Sequence, residues 1–259
     1  MGASIAFAPD DTQRYLLRIA DTALIHAQRL MEWCGHAPVL EEDLALANLG
    51  LDLLGQARAL LGHVGAQMGL DEDQLAFLRD EAHFLNLTLV EQPGRRGGAD
   101  FADAQLRNLL VAGWLLVLWQ RLLESGDPQV AAIAAKAVKE SRYHVQHAGD
   151  WVVRLGDGTQ ESARRLRAAL DRAWPYVAEL FADDAVDAAA QDQGLGPRAS
   201  ALHAPWREVI APYFGAAGIP WPETPAFRST GRQGQHSEHL GPLLSEMQVL
   251  QRSFPGGRW

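Results

Sequence analysis

The chain has 259 residues, a formal net charge of -9 and an apolar fraction of 47% against 21% charged residues, the balance of an ordinary globular protein with a sizeable core. The acidic charge argues against nucleic acid, which needs a clustered basic surface, and the single cysteine, Cys34, excludes an internal disulfide framework and suits a reducing cytoplasm. No basic region precedes an apolar run at the N-terminus, and the greasiest stretch, Leu109 to Trp119, falls short of the roughly 20 residues of a membrane span, so the expectation is a soluble cytoplasmic protein.

Helical periodicity dominates, and no segment alternates at the period of a strand. Asp10-Asp11-Thr12 caps a first helix with Leu16, Ile19, Ala20, Leu24 and Met31 on its apolar face, stopping near Gly35 and Pro38. Glu41-Glu42-Asp43 opens a second, which runs through Leu44, Leu51, Leu54 and Leu61 to about Val64. Asp71-Glu72-Asp73 opens a third that Pro93-Gly94 ends, and Gly94 to Gly98 reads as an exposed crossover. Asp100 or Asp103 starts a fourth helix, ending near Ser125-Gly126. Asp127 followed by Pro128 starts a fifth, which continues to Leu155. A sixth covers about Ser162 to Phe181, with Pro175 kinking or breaking it. A weaker seventh lies around Ser200 to Phe214. Gly215 to Pro242 reads as an ordered loop wrapping the bundle, and a last helix spans about Leu243 to Arg252. Two hairpins, helices two-three and four-five, joined by one crossover predict a single all-α domain over 1–259. Its class is a ferritin-like four-helix bundle with flanking helices and a long C-terminal wrapping segment.

Twice the chain places a carboxylate and a histidine about one helical turn apart: Asp80 with His83, and Glu140 with His144. A di-iron carboxylate bundle takes a Glu from each of two helices and a Glu-x-x-His from each of the other two. Folding helices two and three about Met68 brings Asp52 level with Asp80 and His83. Asn48, Asp52 and Gln56 recur every four residues, a polar stripe that needs partners if buried. Folding helices four and five about Gly126 sets Glu140 opposite Ala112 and His144 opposite Asn108, yet Ala104 to Leu123 contains no carboxylate. Glu124 lies roughly 20 Å along the axis from that level at 1.5 Å per residue. Glu140 and His144 are also four apart, with Tyr143 at the motif's histidine position. A complete dinuclear centre is therefore not expected. Asn48, Asp52, Asp80, His83, Glu140 and His144 read as degenerate metal-site positions kept as a buried polar network, with no catalytic residue and no metal assigned to the chain.

Each feature also has a plainer reading. Asp80 with His83 is more often a hydrogen-bonded pair than a ligand set. Glu140 has Lys136 and His144 one turn away on either side, the makings of an ion-pair network. Asp52 can be neutralised by Arg79 or Arg142, while Asn48 and Gln56 fit satisfied core amides. Trp114, Trp119, Trp151 and Trp174 read as core, Cys34 as a packed thiol, and Arg164, Arg165 and Arg167 as a solvated cluster. Of the tail aromatics Trp206, Tyr213, Phe214, Trp221, Phe227 and Trp259, packing on their own bundle outweighs packing on a partner. Phosphate-cradling glycine loops and the nucleophile elbow are missing.

Several strings carry a resemblance. Glu32 to Pro38 (EWCGHAP) leads into Ala45 to Arg58 (ALANLGLDLLGQAR). They are followed by Leu89 to Pro93 (LVEQP), Lys139 to His144 (KESRYH), Arg154 to Thr159 (RLGDGT), Glu238 to Pro242 (EHLGP) and Glu246 to Arg252 (EMQVLQR). Together they resemble the phenylacetyl-CoA epoxidase C-subunit family nearly end to end, from about Tyr15 to Trp259. The resemblance implies a ferritin-like structural subunit of a bacterial oxygenase that converts phenylacetyl-CoA to its ring 1,2-epoxide. It further implies a homologous A subunit that carries the di-iron centre and mainly binds the thioester. A flavin and iron-sulfur reductase drawing on NADPH is the further partner. The alternative is a ferritin-like oxidase that binds metal itself through Asp52, Asp80, His83, Glu140 and His144.

Overall fold

The computed structural model describes residues 5–223, 227–254 and 257. Helix α1, Asp11–Met31, begins at a capping box in which the Asp10 carboxylate accepts from the Gln13 backbone and the Gln13 side chain answers to Asp10. Helix α2, Leu40–Met68, ends at Gly69, whose left-handed φ of 71° lets the chain reverse. The two pack along their length as an antiparallel hairpin. A second hairpin joins α5, Phe101–Leu122, to α6, Pro128–Asp157, with Asp100 and Asp127 as N-caps. The hairpins meet across an α2–α6 seam, and the connection between them is where sequence and structure part.

The expected third helix, Asp71 to about Gln92, is not one helix. Its Asp71 cap does start α3, Glu72–Phe77, but a 3-10 turn at Glu81–His83 and the short α4, Thr88–Glu91, follow. The segment from Phe84 to Glu91 is buried throughout, and distant side chains satisfy its backbone. Leu85 N donates to Asp21 Oδ2 at 2.9 Å, Leu87 N to Thr22 Oγ1 at 3.1 Å and Thr88 N to Glu179 Oε2 at 2.9 Å. With those partners in place a helix is no longer needed to pair the buried amides. The hairpins of the bundle are consequently α1–α2 and α5–α6, and the two-three hairpin inferred from sequence is corrected.

The remaining elements wrap this core. Helix α7, Gln160–Ala173, passes at Trp174–Pro175 into a 3-10 segment reaching Phe181, so the proline ends the α-helical hydrogen bonding as its missing N–H demands. Helices α8, Ala185–Asp192, and α9, His203–Ala216, follow, then the wrapping segment and α10, Leu240–Ser253. Among the described residues there is no β-strand, only an isolated bridge between Thr230 and Gln235. A buried carboxylate anchors the wrap. Glu91 accepts from Asn86 Nδ2 at 2.9 Å, His236 Nδ1 at 2.6 Å, and Ser237 N and Oγ at 2.7 Å each.

Every residue of α5 from Ala104 to Trp119 is buried. Trp114, Trp119 and Trp174 are core as expected, Trp151 is half-buried against Phe101, and Trp206 and Phe214 are buried with Trp221 packed on them. Trp259 lies outside the described residues. Cys34 is exposed on the turn after α1 and is not the packed thiol the sequence suggested. Helices α2 and α5 are both long and apolar enough to cross a membrane, but the α5 stretch is 89% buried inside the chain's own fold and the α2 stretch 44%.

Candidate functional site

The functional candidate is a polar layer inside the bundle, to which all four helices contribute. On α1, His26 is fully buried and its Nε2 lies 3.1 Å from Asn108 Oδ1 on α5. On α6, buried His144 places Nε2 3.1 Å from Asp52 Oδ2 on α2. The imidazole of His144 is near enough to oppose a charge on His26. Burial is the main force on both. It holds His26 down at about 3, helped by the Arg107 charge and resisted by the Asn108 bond, and it lowers His144 against the pull of Asp52 and Glu140. Both rings are therefore neutral at pH 7.

A neutral ring has one donor and one acceptor nitrogen. The Asp52 carboxylate and the Asn108 carbonyl oxygen accept, so the Nε2–H groups donate and both Nδ1 atoms are bare lone pairs. Among the described residues neither Nδ1 has a partner, nor do Asn108 Nδ2, Ser141 Oγ or either amide atom of Gln105. Buried polar atoms of this kind are met by internal water in folded proteins.

The donor set does not fit two iron ions. Ser141 and His144 both face the core three residues apart, so α6 keeps the Glu-x-x-His spacing with serine where the carboxylate belongs. His26 and Asn108 stand on α1 and α5 without a negative charge. The layer's one carboxylate, Asp52, sits at the rim with its side chain 39% exposed. Among the described residues no three His, Cys, Asp or Glu side chains converge as a metal site. Two dications need several anionic oxygens to offset their charge and lost hydration, and the layer offers one.

The six positions named from sequence scatter. Asp52 meets His144 and not the Asp80–His83 turn, because α2 pairs with α1 and α6 instead of with a long third helix. Asp80 is exposed on the crossover and accepts from Arg252 Nη2 at 3.2 Å. His83 is half-buried there, its ring 5.0 Å from that of Phe7. Asn48 points outward on α2 and is neither a core amide nor part of the network. Glu140 accepts from Gln56 Nε2 at 3.0 Å and pairs with Lys136 at 3.2 Å, and Gln56 Oε1 accepts from Trp119 Nε1 at 3.1 Å. Gln56 is thus the satisfied core amide, while His144 belongs to Asp52 and not to Glu140. Arg79, considered as a neutraliser of Asp52, is fully buried against Asp21 instead. The same α2–α6 seam carries Glu42 with His147 at 2.9 Å and His63 with Asp127 at 2.7 Å.

Sequence reasoning missed His26, Gln105 and Ser141. A signal existed on α1, where Arg18, Thr22, His26 and Arg29 follow one another at helical spacing along a face that is buried. Outside the layer, a cleft of about 690 Å³ opens beside α5 and α7, lined in part by Gln92, Asp103, Arg107, Arg172 and Tyr176. Its charges are already matched in part, since Arg172 pairs with Asp103 and Arg107 Nη1 donates to the Gln92 carbonyl at 2.6 Å.

Residues 5–259 match the family described as phenylacetic acid catabolic protein. The chain is 48% identical over 246 residues to the C subunit of 1,2-phenylacetyl-CoA epoxidase from Escherichia coli strain K12, a match that covers 95% of this chain and 98% of that protein. In fold it resembles protein 19 with aldehyde deformylating oxidase activity from Synechococcus, with a TM-score of 0.58 and 18% identity over 83% of this chain and 95% of that one. At that identity the likeness is one of fold, a ferritin-like helical bundle.

Proposed function

The chain belongs to the phenylacetic acid catabolic protein family, and we propose that within it this chain is the structural, non-catalytic subunit of a multicomponent phenylacetyl-CoA 1,2-epoxidase. The observation that carries the reading is the composition of the core layer. Ring epoxidation with O2 puts one oxygen atom into substrate and reduces the other to water, which takes two electrons and a redox centre. The layer of His26, Asp52, Asn108, Ser141 and His144 lies between the four helices from which a ferritin-like bundle draws its metal ligands, and it offers a single carboxylate, Asp52. Its side chains instead cross-link the four helices.

In this reading the di-iron chemistry belongs to a homologous A subunit that the chain pairs with and stabilises, and which mainly binds phenylacetyl-CoA. A reductase with flavin and iron-sulfur centres supplies electrons from NADPH. The 48% identity to the Escherichia coli epoxidase's C subunit supports the assignment. The competing reading, a metal held by this chain, draws on the two bare Nδ1 atoms of His26 and His144.

Co-expression with an A-type subunit, size-exclusion chromatography and elemental analysis separate the two. The proposal expects a fixed-stoichiometry complex whose iron stays with the partner, and epoxidation by the complex with reductase and NADPH. Stoichiometric iron and turnover in the isolated chain would overturn it.

A further inference from the structure

Arg107 lines the cleft beside α5 and α7, and the side chain is 3% exposed. Its Nη1 is committed, donating to the Gln92 carbonyl at 2.6 Å and the Pro93 carbonyl at 3.2 Å. Among the described residues its buried Nε and Nη2 have no hydrogen-bond partner. Those two N–H groups share one edge of the planar guanidinium, an edge that a carboxylate takes with two parallel bonds. Arg164 uses the same edge in this chain, donating from Nε at 2.8 Å and from Nη2 at 2.7 Å to the two oxygens of Glu161.

The charge of Arg107 is as poorly matched as its hydrogen bonds. Asp103 and Glu32 act on it through space, but Arg172 holds Asp103 at 2.7 Å and Arg29 holds Glu32 at 2.5 Å. Three guanidinium groups thus meet two carboxylates, one positive charge in excess. Burial first, then the charge of Arg29, hold the Arg107 pKa down at about 10 against the pull of Asp103 and Glu32, and the group is still charged at pH 7. Internal water can satisfy free N–H groups but cannot neutralise a charge, whereas an anion does both.

The rest of the lining narrows the kind of anion. A volume of about 690 Å³ is that of a small-molecule site. Leu89, Pro93, Ala169, Ala173, Pro175 and Tyr176 make an apolar wall. Asp100 and Asp171 also line the cleft, Asp171 exposed and Asp100 3.8 Å from Arg165. With Asp103 they oppose a dianion such as phosphate, while a monoanion matches the single charge in excess. We infer that the cleft binds a small organic monocarboxylate with an apolar body. The carboxylate takes the Nε–Nη2 edge of Arg107, and the ring or chain lies on the apolar wall.

Titration calorimetry on the full-length chain tests this, with benzoate, benzamide and inorganic phosphate as probes. Benzoate should saturate one site per chain. Benzamide, of the same shape without the charge, should bind at least about tenfold more weakly, and phosphate should give no saturable heat. Arg107→Lys keeps a charge but loses the two-pronged edge, and should weaken benzoate by about tenfold. Should that substitution disturb folding, Ala173→Phe, which fills the cleft from α7, should abolish saturation with unchanged helical content. In the parent chain benzoate should shift the Nε–H resonance of Arg107, assigned by its loss in Arg107→Lys, where loose pairing at the surface would shift exposed arginines instead. Absence of saturation by benzoate overturns the inference. So do equal affinity for benzamide, competition by phosphate, or benzoate binding that both substitutions leave unchanged.

Discussion

Removing the Glu91 carboxylate is expected to release the C-terminal wrap from the bundle. The side chain is fully buried and accepts four hydrogen bonds, from Asn86, from the His236 ring and from two atoms of Ser237. His236 in turn reaches the Phe84 carbonyl through Nε2 at 2.9 Å. Both ring nitrogens thus face acceptors, an arrangement that calls for the imidazolium. Burial disfavours that charge, but the hydrogen bond and charge of Glu91 outweigh it and the Phe84 carbonyl assists, so the His236 pKa is raised above 6.5. Taking one partner from a buried pair leaves the other uncompensated and costs about 3–5 kcal/mol. Against a total stability on the order of 5–15 kcal/mol this is a large fraction, and it corresponds to a fall in Tm of about 10 °C for a domain of this size. The Glu91→Ala variant should therefore unfold at markedly lower urea, with amide exchange accelerated first around Ser229 to His239. Stability within about 1 kcal/mol of the parent, with that segment still protected, would refute the anchor.

The other expectations can be taken together. The His236 contribution is present below pH about 6.5 and is lost as pH rises through its raised folded value, so urea titrations of the parent and His236→Gln should converge at alkaline pH. Asn108→Leu should cost about 1–3 kcal/mol by stranding His26 in the core, and the added change His26→Leu should recover much of it, a coupling that equilibrium unfolding measures directly. The doubly substituted chain should also lose the acid sensitivity that begins below pH 6.5, because buried His26, held at about 3, can no longer pull protons into the unfolded state. Gly149→Ala should destabilise by about 1–3 kcal/mol, since a Cβ there overlaps the Tyr213 ring between α6 and α9, and Tyr213→Ser should relieve it.

Much of the fold was legible from local chemistry. Asp10, Asp71 and Asp127 cap helices where their spacing said they would, the fourth start left between Asp100 and Asp103 falls to Asp100, and Pro175 ends α-helical geometry as its ring requires. Residues 78–93 were not legible, because the groups that satisfy their backbone, Asp21, Thr22 and Glu179, lie tens of residues away in sequence. That one error propagated to the site. Pairing α2 with a third helix sent Asp52 to Asp80 and His83, whereas the folded chain sends it to His144. That Ala104 to Leu123 carries no carboxylate was readable. His26 was legible only as one of the polar residues Arg18, Thr22, His26 and Arg29 that recur along one face of α1, and that spacing does not say which helix's side chain it will face.

The metal content of this chain is the most direct test of its non-catalytic role. Purified alone after expression in iron-replete medium, it should contain far less than one iron per chain and fail to epoxidise phenylacetyl-CoA with reductase and NADPH, whereas the complex with an A-type subunit should hold iron and turn over. Two irons per isolated chain, the complement of a working di-iron bundle, would contradict it.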